Sequence, residues 1–281
     1  MSSLARTVLL AACALAGCAS SCSGGVTPGR EGRPAEQHEE GLARGTIEGV
    51  VRLQEGAPTP AWATSPMVME NRELPAECPP VRTTDREPLG VAADRGLSGI
   101  VVVATGRDPR RWPGPGEPRD HELVIGEQCR LGPTVLATTR GDRLILRNET
   151  DFPFFPETGL GVLQALLRQE PREMVLDVAG VRDVQCAFAA PCGRATVMTF
   201  YHPVHTVTGE DGTFRLEGVP ADQEISLVAW HPLVEESRTV LTLTAGEARR
   251  LELVVRPSPE SAPEAPTLPE GVTQETHPEM F

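Results

Sequence analysis

The sequence predicts an all-β protein: two consecutive β-sandwiches between an N-terminal tether and a C-terminal tail. Three observations carry this reading. Twenty-seven glycines and 27 prolines punctuate the chain far too often for a helical bundle. The apolar runs between them are short and rich in β-branched residues, as strands are. Only one segment, Leu160 to Arg168, has helical spacing, with Leu160, Leu163 and Leu167 on one face.

Taken in order, structure begins near Gly45, where Thr46 to Leu53 has strand composition. A proline-rich connection, 56–66, follows. Gly99 to Ala104 is a continuous apolar run of the length of a buried strand. Arg107 to Pro118 carries four prolines and reads as loop. Thr134 to Thr138 and Arg143 to Arg147 are strands joined around Gly141-Asp142. From Val197 a regular meander is expected. Val204 to Thr208 and Thr213 to Leu216 flank Gly209 to Gly212, a hairpin signal, and Glu224 to Trp230, Thr239 to Thr244 and Arg249 to Val255 follow. The residues 257–281 are rich in proline and glutamate without periodicity and are expected to be disordered.

At the N-terminus, Arg6, the apolar stretch Val8 to Leu15 and small residues before Cys18 form a signal-peptide pattern. The tetrapeptide Leu15-Ala16-Gly17-Cys18 resembles the lipobox of bacterial lipoproteins. The resemblance implies cleavage after residue 17 and lipidation of Cys18, with acyl chains contributing roughly 0.8 kcal/mol per buried methylene. Residues 18–43 then read as a flexible tether. Ala19 is not the aspartate of an inner-membrane retention signal, so the expectation is the periplasmic face of the outer membrane. No later stretch has the roughly 18 apolar residues of a membrane span. A formal net charge of −13 argues against nucleic acid or anionic lipid as electrostatic partners.

Of seven cysteines, the lipobox resemblance implies that Cys13 leaves with the signal and Cys18 carries lipid. Cys22 lies in the tether, which leaves Cys78, Cys129, Cys186 and Cys192 for two disulfides in an oxidising compartment. Three connectivities are open. Cys78–Cys129 with Cys186–Cys192 is preferred, because the second closes a short local loop.

Two family resemblances emerge from the placed strands. Pro133 to Asp151, with Gly141-Asp142 between strands and Asn148 at the end, looks like the front half of a cupredoxin. Val184 to Cys192 falls where that family has its Cys, His and Met ligand loop. His202-Pro203, Asp211-Gly212, Phe214, Val219-Pro220 and Trp230-His231 resemble a carboxypeptidase-regulatory-like domain, a transthyretin-type sandwich with a carbohydrate-binding-like fold. The implied order is 44–198 cupredoxin-like and 199–256 carboxypeptidase-regulatory-like, as in plastocyanin-like envelope proteins.

The departures from the cupredoxin pattern decide the function. Blue-copper chemistry needs two imidazoles, a thiolate and a weak axial thioether. The segment Glu149 to Pro156 after Asn148 holds no histidine, the later ligand positions fall near Ala189, Ala190 and Gly193, and only Cys186 remains of the set. The remaining donors are His202, His205, His231, Met174 and Met198. For His202 and His231, cross-strand hydrogen bonding is preferred over a metal site rebuilt from His202, His205 and His231. Phe152, Phe154 and Phe155 either fill the vacated pocket or form an exposed binding patch. No nucleophile elbow, His-Glu-x-x-His or phosphate loop is present. Glu210-Asp211 and Glu235-Glu236 sit in expected turns as solvated charge.

The expectation is therefore a non-enzymatic, membrane-anchored envelope lipoprotein without cofactor, a binding or scaffold module for an envelope protein or polysaccharide. The alternative is copper binding or electron transfer through an altered ligand set that includes Cys186.

Overall fold

The fold is an all-β arrangement of 15 strands in four sheets, seen in a computed structural model that describes residues 41–69, 72–159, 163–188, 190–259 and 261. The expected signal peptide, Cys18, Cys22 and nearly all of the expected tether lie outside the described residues, as do Leu160 and Ala189. No helix among the described residues is long and apolar enough to cross a membrane.

One sandwich is built from both ends of the chain. Its first sheet has the order β12-β1-β15, formed by Thr213–Pro220, Arg44–Leu53 and Ala248–Val255. Its second has the order β11-β2-β13-β14, formed by His205–Val207, Val101–Thr105, Glu224–His231 and Val234–Thr242. Alternating side chains from the two sheets meet in one core, among them Ile47, Val51, Leu53, Val102, Leu216, Leu227 and Leu253. On its other face β2 buries Val101 and Val103 as well, where β2 and β11 lie against the strand Val135–Thr139 (β5). Burial on both faces accounts for the continuous apolar run.

The other sandwich is inserted between β2 and β11. One sheet, β4-β3-β6-β8, comprises Leu131–Gly132, Asp120–Ile125, Arg143–Asn148 and Arg172–Val175. The facing sheet, β5-β10-β9-β7, comprises β5, Arg194–Phe200, Gly180–Cys186 and Pro156–Glu157. Leu123, Ile125, Leu144, Leu146, Val184 and Val197 fill the space between them with Phe154, Leu166 and Leu176.

Four expectations change. The segments 44–53 and 101–105 belong to the sheets of the C-terminal strands, not to a sandwich running over 44–198: β1 pairs with β12 and β15, and β2 with β11 and β13. Gly49 makes this possible, since a Cβ there would lie 2.3 Å from the Leu251 carbonyl oxygen. The turn 209–212 does not make a hairpin. It carries the chain from one sheet to the other, with Gly212 at φ +79° packed against Val51 and Leu97. No helix forms over 163–168. Leu166 instead forms a bridge with Phe154, its amide donating to the Phe154 carbonyl at 2.6 Å. The tail starts ordered: Pro257 bridges Val234, and Ser261 is buried.

Candidate functional site at the Cys186–Cys192 loop

Strand β6 ends at Asn148, and the residues after it fold back over the mouth of the inserted sandwich. Asn148 is buried and uses its whole side-chain amide locally. Its Nδ2 donates to the carbonyls of Phe152 (2.7 Å) and Leu166 (2.9 Å). Its Oδ1 accepts from the amide (3.0 Å) and hydroxyl (2.8 Å) of Thr150. The side chain thereby ties two chain segments together and has no donor left for a ligand.

The segment so positioned is aromatic. Phe154 is 0 % exposed and meets the half-buried Phe152 edge to face, with centroids 5.1 Å apart. Phe154 sits in the same core as Cys186 and Cys192. Of the two readings of this triplet, core packing describes Phe154, whereas Phe155 lies nearer the surface. The Ala187 amide donates to the Phe155 carbonyl at 2.9 Å, and Phe155 contacts Phe188 at 6.3 Å. Phe188 is 62 % exposed and stands on the loop that the second disulfide closes.

Both disulfides, Cys78–Cys129 and Cys186–Cys192, are present. Cys186 and Cys192 are 3 % and 0 % exposed, and the Cys192 carbonyl accepts from the Leu131 amide at 2.7 Å. The Cys186 sulfur is therefore not a thiolate, the form in which cysteine binds a metal or attacks a substrate. Phe152 to Phe155, where a first imidazole is expected, offer no metal donor. Among the described residues no group of three or more His, Cys, Asp and Glu side chains is arranged to hold a metal ion. The residues present do not fit a blue-copper centre.

The other donors have separate partners. His202 stacks on Trp112 with centroids 4.3 Å apart, and its Nδ1 accepts from the Val204 amide at 3.3 Å. His231 is 2 % exposed, its Nδ1 accepts from the Leu233 amide at 3.1 Å, and burial pushes its pKa down to about 3. His205 stacks on Phe200 and shares a 2.9 Å hydrogen bond with the Thr139 hydroxyl; burial lowers its pKa to about 4. Met174 and Met198 lie on β8 and β10. Met174 packs against the core that contains Cys186 and Cys192, but those two sulfurs are bonded to each other.

One polar cluster escaped sequence reasoning. Asp142 is 3 % exposed and accepts from the amides of Arg119 (2.9 Å) and Thr139 (2.8 Å), and its Oδ2 lies 2.8 Å from His121 Nε2. Burial alone would raise its pKa, but these donors outweigh burial and hold the carboxyl below its ordinary value. The Gly141-Asp142 turn was the available signal. It marks the bend, with Gly141 at φ +100°, but not the partner 21 residues earlier.

No protein-family model and no curated protein sequence matches this chain. Solved structures similar to it include an amicyanin mutant with Cu(I), at 19 % identity over 28 % of this chain and 79 % of that one (TM-score 0.24). A purple cupredoxin from Nitrosopumilus maritimus is similar at 16 % identity over 28 % of this chain and 97 % of that one (TM-score 0.25). A Cu-containing nitrite reductase from Thermus scotoductus SA-01 matches at 16 % identity over 35 % of this chain and 28 % of that one (TM-score 0.26).

Proposed function

We propose that this chain is a non-enzymatic envelope lipoprotein, anchored through Cys18, that serves as a binding or scaffold module. In this reading the inserted sandwich is a cupredoxin-like scaffold without its copper centre, and the outer one is a carboxypeptidase-regulatory-like sandwich. The observation that carries the reading is the state of Cys186. Its sulfur is bonded to Cys192 and buried beside Phe154, so a bridge and an aromatic core occupy the place where thiolate and imidazole ligands would be required. What remains at this end is a disulfide-closed loop presenting Phe188 with Phe155 at its side. A disulfide-closed loop on a β-scaffold holds such a contact with little entropy left to lose on binding. An envelope protein or a polysaccharide is the proposed partner class.

Copper titration of the chain, followed by dialysis and metal analysis, tests this. The expected result is no stoichiometric copper and no visible thiolate-to-copper absorption. One copper per chain with free Cys186 would favour the copper-binding or electron-transfer alternative instead. The anchor is tested separately: Cys18→Ala should move the chain from the membrane fraction to the soluble one. Unchanged fractionation would remove lipidation from the account.

A further inference from the structure

The linker that leaves β2 crosses one end of the outer sandwich. Its short 3-10 turn, Pro109–Arg111, packs on the loop after β12, where Arg111 Nη2 donates to the Ala221 carbonyl at 2.9 Å. The next residue, Trp112, is 2 % exposed and belongs to the core of that sandwich. The Ala221 amide donates in turn to the Ala43 carbonyl at 2.9 Å, next to Arg44, the first residue of β1. The Arg44 guanidinium donates to the Arg111 carbonyl. Two arginines 67 residues apart in sequence are thereby brought together.

The chain holds 39 acidic and 26 basic residues, yet among the described residues neither guanidinium pairs with a carboxylate. Asp108, in the same turn, pairs with Arg110 at 3.0 Å and feels the Arg111 charge only at longer range. Asp222 and Glu224, just beyond Ala221, are exposed and pair with neither arginine. A guanidinium has five N–H donors, and each of these two spends one on a backbone carbonyl. Arg111 Nε is buried without a partner among the described residues, and so is Nε2 of Gln223, two residues beyond Ala221. Burial and the Arg111 charge lower the Arg44 pKa from its ordinary value. Both arginines are half-buried, so part of each faces solvent.

Without a ligand this arrangement is unfavourable twice over. Two like charges are held together where part of their hydration is lost, and buried donors go unused. An oxyanion relieves both. A carboxylate brings one charge and two oxygens. A phosphate monoester brings a charge of about −1.5 to −2 near pH 7 and three terminal oxygens. It therefore matches two guanidinium forks, which bind phosphate through paired N–H donors, and leaves an oxygen for a further donor.

We propose that Arg44 and Arg111 form a binding site for a phosphate monoester. The net charge of the whole chain does not oppose this, because charges farther away than about 8 Å are largely screened at physiological ionic strength. Arg44 opens the first strand, directly after the segment expected to be the tether. The phosphate group is therefore that of a soluble ligand or of a lipid at the membrane surface. The site depends neither on the state of Cys186 nor on lipidation of Cys18.

Calorimetric titration of the full chain with inorganic phosphate tests it. One phosphate per chain is expected, with binding weakened about tenfold or more by Arg44→Gln or by Arg111→Gln. Phosphate should raise the Tm of the parent and leave that of the two variants unchanged. Should either variant fail to fold, Arg44→Lys and Arg111→Lys keep the charge, remove the fork and should also weaken binding. Flotation of the Cys18→Ala chain with phosphatidylethanolamine vesicles, with and without phosphatidic acid, separates the two sources. Flotation that needs phosphatidic acid and is lost in Arg111→Gln assigns a lipid phosphate; phosphate binding without flotation assigns a soluble one. No saturable phosphate binding would overturn the proposal, as would binding indifferent to every arginine change. Acetate bound as tightly as phosphate would make this a carboxylate site and overturn the phosphate assignment. Binding seen only in Glu39→Gln/Glu40→Gln would assign the pair to the chain's own carboxylates and likewise overturn it.

Discussion

Phe154→Ala tests whether the mouth of the inserted sandwich is core. The ring is 0 % exposed, meets Phe152 edge to face at 5.1 Å and lies in one cluster with Leu166, Cys186 and Cys192. Truncating a buried phenylalanine costs about 3–5 kcal/mol, as lost transfer energy plus the cavity left behind. Collapse is restricted here, because the disulfide fixes one wall and the Asn148 hydrogen bonds fix another. A cost near the middle of that range, about 4 kcal/mol, corresponds to a fall of about 8–16 °C in Tm for a unit of this size. The assay is thermal unfolding followed by circular dichroism without reductant. Phe154→Leu keeps much of the volume and should lose less than about 1.5 kcal/mol. Phe154→Asp buries an unpaired charge and should prevent stable folding. A Tm for Phe154→Ala within about 2 °C of the parent would refute the packing argument, because a core ring of this size cannot be removed so cheaply.

Three further outcomes follow from the same structure. In the chain-entropy description Cys78–Cys129, spanning 51 residues, contributes about 4 kcal/mol and Cys186–Cys192, spanning 6, about 2. The Cys78→Ala/Cys129→Ala pair should therefore lower the urea midpoint more than Cys186→Ala/Cys192→Ala, and the reverse order contradicts the account. Asn148→Ala strands the Leu166 carbonyl and the Thr150 amide and should cost about 2–4 kcal/mol. Asn148→Asp turns two donors into acceptors facing carbonyls and should cost more; an equal or smaller loss in denaturant unfolding would refute this. Stability should fall as pH drops from 7 to 4. The folded pKa of His205 (about 4) and of His231 (about 3) lies below the ordinary 6.5, so the unfolded chain binds protons first. Their contribution is full above about pH 6.5 and is lost as pH falls through the folded values. Asp85, held to about 2, keeps its contribution across that window. His205→Gln should flatten the profile of Tm against pH, and a flat profile in the parent would contradict the assignment.

How far the sequence disclosed the molecule depends on whether the cause was local. Val101 to Ala104 announced a strand buried on both faces because its neighbours in sequence are all apolar. The turn residues around Gly141 and Gly212 marked bends because positive φ is a property of one residue. Partner choice was not legible. β1 joins β15 across nearly the whole chain, and nothing in Thr46 to Leu53 names Leu251 or Val255. The spacing of Leu160, Leu163 and Leu167 suggested a helix, yet Leu167 is 41 % exposed while Leu166 is 1 % exposed. The Phe154 backbone and the Asn148 amide outcompete the intrahelical hydrogen bonds there. At the candidate site the missing imidazoles were visible as absent letters. The His121–Asp142 contact was not, because it joins β3 to the turn before β6, and those two strands are paired only in three dimensions.

Peptide mapping under non-reducing conditions, with metal analysis of the same protein purified from the envelope, tests the central claim most directly. The account predicts a Cys186–Cys192 disulfide-linked peptide, no alkylated form of either cysteine and no copper above background. Alkylated Cys186 together with one equivalent of copper per chain would contradict it and make this a metal-bearing cupredoxin.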